Sequence, residues 1–191
     1  MNNKIIFAPL TKEDLPLFFR WVQSTHISKW WKSNTYEKFE KTYNPQALAS
    51  NHVFPFIIQI DGKPIGYIQY YLADKADNGW WGIQIEDITG NIGIDMISGE
   101  TDFIGKGYGS TILKLFIEKI YKETSATKII TDPDPNNLAA IRFYEKVGFR
   151  KIKEIDAPSF FDVEPCKLLL MELKKNDIDH FTKHNNAHHP Y

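Results

Sequence analysis

The fold is decided by residues 137–149, NLAAIRFYEKVGF, near the end of the chain. Apolar side chains recur there at helical spacing, and Gly148 stands where the C′ residue of a helix is expected. The pattern predicts an amphipathic helix over residues 136–147. A short apolar run at residues 128–131 comes before it and predicts a buried strand, and strand-like sequence resumes at Lys151 and extends to Leu173.

A glycine-rich turn, GKGYG at residues 105–109, lies about thirty residues upstream of that helix. A second helix is predicted to follow the turn and to end near Lys122. Glycines let the backbone approach an anion closely, free N–H groups at a helix start point at it, and Lys106 adds positive charge. Alone, the turn indicates either a phosphate site or a flexible loop without a ligand, and it fits neither a Walker A loop nor a dinucleotide turn.

The first half of the chain predicts further strands and helices. Thr11 and Asp14 form a relaxed capping box at the start of a helix. Asp61-Gly62 between two strand-like runs is a strong hairpin signal, because a type I′ turn needs positive φ at both positions. The remaining predictions are strands at residues 4–7, 53–60, 65–71 and 91–97, a weaker strand at 80–85, and helical sequence at 36–50 interrupted by Pro45. Helices that alternate with strands predict a mixed sheet with helices packed on it.

Together the two motifs resemble a known family. Residues 137–149 resemble the N-x-x-A-x-x-x-Y-x-K-x-G-F signature of the GNAT acetyltransferases, and the glycine turn resembles their R/Q-x-x-G-x-G/A loop. The resemblance implies an α/β (α+β) GNAT fold, with a mixed, mostly antiparallel central sheet whose splayed strands are flanked by helices. It also implies acetyl-CoA as co-substrate, held where strands 91–97 and 128–131 splay, with direct attack of an amine on the thioester.

Under this resemblance a set of residues is expected to bind the cofactor: Ile104, Gly105, Lys106, Gly107, Tyr108, Gly109, Asn137 and Tyr144. Ile104 departs from the usual Arg or Gln, at small cost if the loop binds phosphate through backbone N–H groups. Tyr144 corresponds to the tyrosine that protonates the leaving thiolate, and its alternative role is a core aromatic of the helix. A backbone N–H near the splay can stabilise the developing oxyanion.

A finer resemblance, to aminoglycoside 6′-N-acetyltransferases, extends from His26 to about Met171. It rests on HISKWW at 26–31, IGYIQY at 65–70, GWW at 79–81, GID at 93–95 and TDPDPN at 131–136. In that family the aspartate matching Asp95 is the proposed general base. An aminoglycoside amine is largely an ammonium at neutral pH, so a nearby carboxylate is needed to accept its proton. The alternative for Asp95 is a turn or cap residue.

The resemblance also implies a substrate cleft formed by Trp31, Tyr43, Gln69, Asp77, Asn78, Trp81, Asp95 and Asp132. Aromatic faces suit sugar rings and cationic amines, and carboxylates supply charge-assisted hydrogen bonds. The tryptophans are equally compatible with core packing, and Asp132 with a turn before proline. The family has an aspartate where this chain has Asn78, with Asp77 one residue earlier, so one carboxylate that would bind a cationic drug is replaced.

The amino-acid composition and net charge limit the classes of binding partner. The formal net charge is −1 and hydrophobic residues make up 42% of the 191 residues, so neither nucleic acid nor a membrane surface is expected as partner. Residues 76–105 contain six carboxylates and no Lys or Arg. This acidic stretch either attracts a cationic ligand or is a solvated loop. Cys166, the one cysteine, is expected to be a half-buried strand residue, and the protein is expected in the cytoplasm.

We expect one acetyltransferase domain over residues 1–174 and a polar, His-rich tail over 175–191. The histidines of the tail are not expected to bind a metal, and no metal is expected elsewhere. The assembly is expected to be a monomer or a homodimer. The leading hypothesis is acetylation of the 6′-amine of an aminoglycoside, and the alternative is acyl transfer to another amine or hydroxylamine such as a siderophore precursor. A non-enzymatic CoA-sensing module is the third hypothesis.

Overall fold

The structure is a computed structural model, which describes residues 3–31, 35–73, 91–157 and 166–178. The strands are β1 Ile5–Pro9, β2 Val53–Ile60, β3 Lys63–Leu72, β4 Asn91–Ser98, β5 Lys128–Thr131, β6 Arg150–Ala157 and β7 Cys166–Lys174. The helices are α1 Leu15–Val22, α2 Thr25–Ser28, α3 Tyr36–Tyr43, α4 Pro45–Ser50, α5 Tyr108–Glu123 and α6 Leu138–Val147, with 3₁₀ turns at Lys12–Asp14 and Thr101–Phe103.

The described strands form one sheet in the order β1-β2-β3-β4-β5-β7-β6. All neighbours are antiparallel except β4 and β5. These parallel strands pair only from Asn91 with Lys128 to Gly93 with Ile130, while β4 continues to Ser98. The two strands therefore separate beyond Gly93, and we call this opening the splay. The predicted mixed, mostly antiparallel sheet with splayed strands is confirmed.

Helices cover both faces of the sheet. On one face, the apolar side of α5 (Ile112, Leu113, Phe116, Ile117 and Ile120) packs with α6 against β3 and β4. On the other face, Phe18 and Trp21 of α1 and Phe39 of α3 pack against Ile57, Tyr67 and Ile97. Because successive residues of a strand point to opposite faces, Gly93, Asp95 and Ile97 lie on the face of α1–α4.

Several local predictions are confirmed. Asp61 and Gly62 have φ of 51° and 80°, as a type I′ hairpin requires. The Thr11 amide donates to the Asp14 carboxylate at 2.9 Å, which closes the capping box. Pro45 divides the predicted helical stretch into α3 and α4 and occupies the first turn of α4, where its missing N–H costs nothing.

Several predicted boundaries were shifted by one or two residues. The strand predicted at 4–7 spans Ile5–Pro9, and the strand predicted at 65–71 spans Lys63–Leu72. Helix α6 was predicted to begin at residue 136, but it begins at Leu138. The Asn136 amide donates to Asp134 Oδ1 at 2.7 Å in a turn, and Asn137 is the N-cap, so both residues precede the first residue of the helix. The weaker strand prediction at residues 80–85 lies outside the described residues.

The end of the described chain packs on the sheet. Cys166 begins β7 and is half-buried, as predicted. Asp177 forms an ion pair with Arg150 at 3.6 Å, and Ile178 packs against the core. The domain boundary at residue 174 stays a prediction. In the described part of the chain, no helix combines the length and the apolar character that crossing a membrane requires.

Candidate active site

One row of side chains on β3 faces one row on β4, next to the splay. The register places Tyr67 opposite Ile97, Gln69 opposite Asp95 and Tyr71 opposite Gly93. The Gln69 side-chain amide donates to Asp95 Oδ2 at 2.7 Å, and the Tyr67 hydroxyl donates to Gln69 Oε1. Gln69 was predicted to be a neighbour of the substrate. In the structure it is buried, and both ends of its amide are occupied by these two hydrogen bonds.

Asp95 and Asp132 are carboxyl groups held in a crowded part of the protein. Both are half-buried by solvent-accessible area. Burial raises the pKa of Asp95 to about 6, against the opposing effect of the Gln69 hydrogen bond. Burial also raises the pKa of Asp132, and the neighbouring charge of Asp95 raises it further. The structure therefore brings these two predicted site residues together, one on β4 and one directly after β5.

Tyr71 closes the end of the splay, and it was not predicted as a site residue from the sequence. A Cβ added to Gly93 would lie 1.8 Å from Tyr71 Cζ and 2.1 Å from its hydroxyl oxygen. The ring therefore crosses directly over Gly93, at the last residue pair that β4 forms with β5. Burial raises the pKa of Tyr71, with further effects of the Asp95, Asp132 and Tyr144 charges. An isolated glycine within a strand is the sequence signal of such a close approach.

Trp31 and Tyr43 combine packing with partial exposure. Trp31 Nε1 donates to the Tyr43 hydroxyl at 2.8 Å. The Tyr43 ring packs against Phe39, with ring centroids 4.6 Å apart, and against Phe18 at 5.0 Å. Burial raises the pKa of Tyr43 against the opposing effect of the Trp31 hydrogen bond, and the charge of the nearby Asp95 raises it further. Core packing and proximity to Asp95 thus occur together, and contact with a substrate stays a prediction.

Tyr144 approaches the splay from the opposite side. It lies on α6, is 6% exposed, and hydrogen-bonds with the side chain of Thr131 at the end of β5. Burial raises the pKa of Tyr144, and the charges of Asp95 and Asp132 raise it further. Its hydroxyl therefore keeps its proton at neutral pH. It has a proton available for an acceptor in the splay.

The glycine turn has the geometry of an anion site. Gly105 and Gly107 have φ of 75° and 86°, and a Cβ at either position would meet nothing within 4 Å. Gly107 is the N-cap of α5, and as a glycine it has no side chain that could cap the helix. The first amides of α5 therefore keep hydrogen-bonding capacity, and the helix dipole favours an anion beside them. Diphosphate oxygens fit this arrangement of open backbone and unpaired donors.

The other predicted cofactor residues have distinct surroundings. Ile104 is 47% exposed, and Lys106 is also exposed. The Tyr108 hydroxyl accepts a hydrogen bond from Asn3 at 2.6 Å. A Cβ at Gly109 would lie 3.1 Å from the Phe143 ring, so this glycine allows α5 and α6 to approach.

Asn137 caps α6, because its Oδ1 accepts from the Ala140 amide at 3.1 Å. Its carbonyl oxygen is therefore engaged within the protein, and a contact with a cofactor would come from its amide nitrogen. Asp77, Asn78 and Trp81, and the histidines of the tail, lie outside the described residues. Among residues that are described, no group of three or more His, Cys, Asp or Glu side chains could hold a metal ion.

Comparison with known proteins identifies the family of this chain. The family model described as an acetyltransferase (GNAT) domain matches residues 11–157. The chain belongs to the GNAT acetyltransferase family. The sequence-based identification of the family, the fold class and acetyl-CoA-dependent acetyl transfer are thereby confirmed.

Curated relatives of this GNAT acetyltransferase include enzymes for different amines. It is 35% identical over 161 residues to an aminoglycoside N(6′)-acetyltransferase type 1 of Klebsiella pneumoniae, covering 82% of this chain and 79% of the relative. It is 27% identical over 146 residues to an N-hydroxyputrescine acetyltransferase of Acinetobacter baumannii, covering 71% of this chain and 61% of the relative.

Among solved structures, the crystal structure of aminoglycoside acetyltransferase AAC(6′)-Ib in complex with coenzyme A is similar, with a TM-score of 0.83 and 32% identity. It covers 94% of this chain and 99% of that one. The complex of the same enzyme with coenzyme A and kanamycin has a TM-score of 0.83 and 31% identity, with the same coverage.

Proposed function

We propose that this enzyme transfers the acetyl group of acetyl-CoA to the 6′-amine of an aminoglycoside. The observation that carries the proposal is the pair of half-buried carboxyl groups, Asp95 and Asp132, beside the splay. Two carboxyl groups in a crowded site are costly unless a cation compensates them, and an aminoglycoside carries several ammonium groups. The 35% identical aminoglycoside acetyltransferase supports the same substrate class.

The glycine turn is proposed to hold the diphosphate of acetyl-CoA. The open backbone at Gly105 and Gly107 and the uncapped start of α5 supply the donors, and no acidic residue lies in the first turn to repel an anion. When bound there, acetyl-CoA supplies a thioester whose carbonyl carbon accepts a nucleophile. The similar structure of aminoglycoside acetyltransferase AAC(6′)-Ib, with a TM-score of 0.83 to this chain, contains coenzyme A and supports this assignment.

Asp95 is proposed to act as the general base. With a pKa of about 6 it is ionised at neutral pH, yet basic enough to take a proton from an ammonium group directly or through water. Gln69 donates to one of its oxygens, and the carboxylate retains further acceptor positions for a substrate. The deprotonated amine is then the nucleophile that forms the new C–N bond.

Tyr144 is proposed to act as the general acid. Its raised pKa keeps the hydroxyl protonated, and the hydroxyl lies near both carboxyl groups at the opposite side of the splay from β3. As the C–S bond breaks, this proton passes to the leaving sulfur. Asp132 is proposed to anchor a second ammonium group, with Trp31 and Tyr43 supplying aromatic contacts.

One assay tests the proposal. Thiol release from acetyl-CoA is followed with kanamycin and with an aminoglycoside that has a 6′-hydroxyl in place of the amine. Turnover with kanamycin alone is expected. Equal turnover with both compounds, or with neither, would contradict acetylation at the 6′-amine.

The second candidate is acyl transfer to another amine or hydroxylamine, such as a siderophore precursor. The 27% identical N-hydroxyputrescine acetyltransferase is the observation that favours it. N-hydroxyputrescine and hydroxylysine belong in the same assay, and turnover with either of these compounds but not with kanamycin would select this alternative. In both cases we place the enzyme in the cytoplasm, because acetyl-CoA is an intracellular metabolite, and we expect a monomer or homodimer that does not bind nucleic acid.

A further inference from the structure

Tyr67 lies behind the site and does not reach the splay itself. It is 0% exposed, and its ring stacks on Phe18 with centroids 3.9 Å apart and planes 15° from parallel. Trp31 and Tyr43 contact the ring edge-on, at 6.1 Å and 6.4 Å. Aromatic rings thus hold Tyr67 on several sides, which fixes the place of its hydroxyl oxygen.

The hydroxyl of Tyr67 determines which way the Gln69 amide points. It donates to Gln69 Oε1, and this places the amide nitrogen of Gln69 2.7 Å from Asp95 Oδ2. The reversed amide would place a carbonyl oxygen against a carboxylate, which is repulsive. A phenol buried in this way keeps its proton, so the donor is present at every pH at which the enzyme works.

We propose that Tyr67 is a positioning residue, which acts through Gln69 to hold the Asp95 carboxylate in its ionised, correctly oriented state. The kinetic part of this proposal rests on the proposed function, since Asp95 must be the base. A hydrogen bond to the charged form of a carboxyl group favours ionisation, so loss of the Tyr67 hydroxyl should make Asp95 easier to protonate.

Other titratable groups lie near Asp95 and must be the same in all variants that are compared. They are Tyr43 on α3, Tyr71 on β3, Asp132 after β5 and Tyr144 on α6. The tyrosines do not titrate near neutral pH, because burial raises their pKa values. Asp132 is therefore the one described neighbour whose titration can overlap with that of Asp95, and an Asp132→Asn background isolates the Asp95 proton.

The kinetic test compares Tyr67→Phe with Tyr70→Phe. Both variants lose one hydroxyl from β3, but Tyr70 lies on the opposite face, among Phe54, Phe56 and Phe116. We expect Tyr67→Phe to move the acidic limb of kcat/KM for kanamycin upward by about 0.5 to 1 pH unit, the equivalent of one ordinary hydrogen bond. The KM for acetyl-CoA should stay constant, and Tyr70→Phe should move neither quantity. Equal pH profiles for wild type and Tyr67→Phe would overturn the proposal.

A double variant tests whether Tyr67 acts through Gln69. In a Gln69→Leu background the acidic limb is expected at higher pH than in wild type, and the addition of Tyr67→Phe should move it no further. An additional shift of the same size as in wild type would show that Tyr67 acts on Asp95 by another route, and would overturn the proposal.

A measurement without substrate separates this proposal from the proposed function. Because the pKa of Asp95 is raised on folding, ionising it destabilises the fold as pH rises from about 4 to about 6. Asp95→Asn should therefore raise the Tm more at pH 8 than at pH 4. The same comparison is made in the Tyr67→Phe background, and all variants carry Asp132→Asn. There the gain in Tm from Asp95→Asn at pH 8 should be larger, and it should level off at a higher pH than when Tyr67 is present.

The Tm curves and the kanamycin assay together distinguish the positioning role of Tyr67 from the proposed substrate. Identical Tm curves in the two backgrounds would overturn the positioning role of Tyr67 even if kanamycin is acetylated. Shifted Tm curves in an enzyme that does not acetylate kanamycin would support the positioning role and reject the proposed substrate.

Discussion

On one side of the splay lie the carboxyl groups of Asp95 and Asp132, whose pKa values are raised by burial. On the other side, helix α5 begins with uncapped backbone amides and no acidic residue in its first turn. We call these the acceptor side and the donor side. The acceptor side holds unfavourable negative charge that a cation can relieve, and the donor side holds unpaired donors that an anion can satisfy. Each side is therefore complementary to one charged ligand, and variants of the two sides should give separable kinetic effects.

The starts of α5 and α6 extend the same contrast. Asn137 caps α6 with its own side chain, whereas Gly107 begins α5 with none. Thr35 and Asn44 likewise cap α3 and α4, whereas the N-cap side chains of α1 and α2 form no capping hydrogen bond. An uncapped start next to residues of positive φ marks the donor side.

The largest effect is expected on the acceptor side. Asp95→Asn should lower kcat by about 10²- to 10⁴-fold, because the amide cannot accept the proton of the substrate. The KM for acetyl-CoA should change little, since the donor side is intact. Steady-state kinetics with kanamycin measure both quantities.

Asp156→Asn is the matched control for that substitution, since Asp156 is an exposed carboxylate on the edge strand β6. It should behave as wild type. A normal kcat for Asp95→Asn would remove the general base from the account, and an altered KM for acetyl-CoA would mean that the two sides are not separable.

Tyr144→Phe should have the next largest effect. A kcat lower by about 10- to 100-fold is expected, toward the small end for acid catalysis, because a thiolate leaves more readily than an alkoxide. Binding of coenzyme A itself should persist. The measurement is kcat together with the affinity for coenzyme A by calorimetry, and an unchanged kcat would leave Tyr144 as a packing residue of α6.

On the donor side, Gly107→Ala should raise the KM for acetyl-CoA by about tenfold with little change in kcat. An alanine with φ near 86° costs about 1–2 kcal/mol, so the turn shifts and its amides no longer meet the diphosphate. Gly62→Ala is matched to it, because Gly62 has φ of 80° in a hairpin with open space around it.

The two glycine variants should lose similar stability in thermal denaturation, but only Gly107→Ala should lose affinity for acetyl-CoA. If Gly62→Ala weakens acetyl-CoA binding equally, the effect is one of general stability and the donor side has been misplaced.

The smallest effect is expected on the pH dependence of the affinity for kanamycin. Because burial raises the pKa values of Asp95 and Asp132, part of the pair is protonated near pH 6, and bound ammonium groups should drive those protons off. The affinity for kanamycin should therefore fall as pH decreases through 6, by at most about tenfold per pH unit for each proton released. Calorimetry in two buffers of different ionisation enthalpy measures the protons released. An affinity independent of pH between 5 and 8 would contradict a carboxyl pair that binds the cation.

Much of this arrangement could be predicted from local sequence. Gly148 at the end of α6, the turn at Asp61-Gly62 and the apolar spacing of α5 each depend on a few neighbouring residues, and these predictions are confirmed. The predicted start of α6 was wrong because Asp134 accepts from the Asn136 amide in a turn and Asn137 accepts from the Ala140 amide as the cap. A sequence pattern does not distinguish such side chains from those of the first helical residues.

The contacts of the acceptor side could not be predicted in the same way. Gln69 meets Asp95 only through the register of β3 with β4, and Tyr71 meets Gly93 through that same register. Gln69 and Asp95 are 26 positions apart in the sequence. A sequence pattern gives the face of a strand but does not fix its partner, so Tyr67 and Tyr71 could not be assigned to the site from the sequence.

A crystal structure of the enzyme with coenzyme A and kanamycin would test the central claim most directly. The account predicts that the 6′-amine nitrogen lies within about 3.2 Å of the Asp95 carboxylate or one water away, with the diphosphate on the amides of Gly107 and the first turn of α5. A structure with another amine in the splay, or with the diphosphate away from the glycine turn, would contradict it.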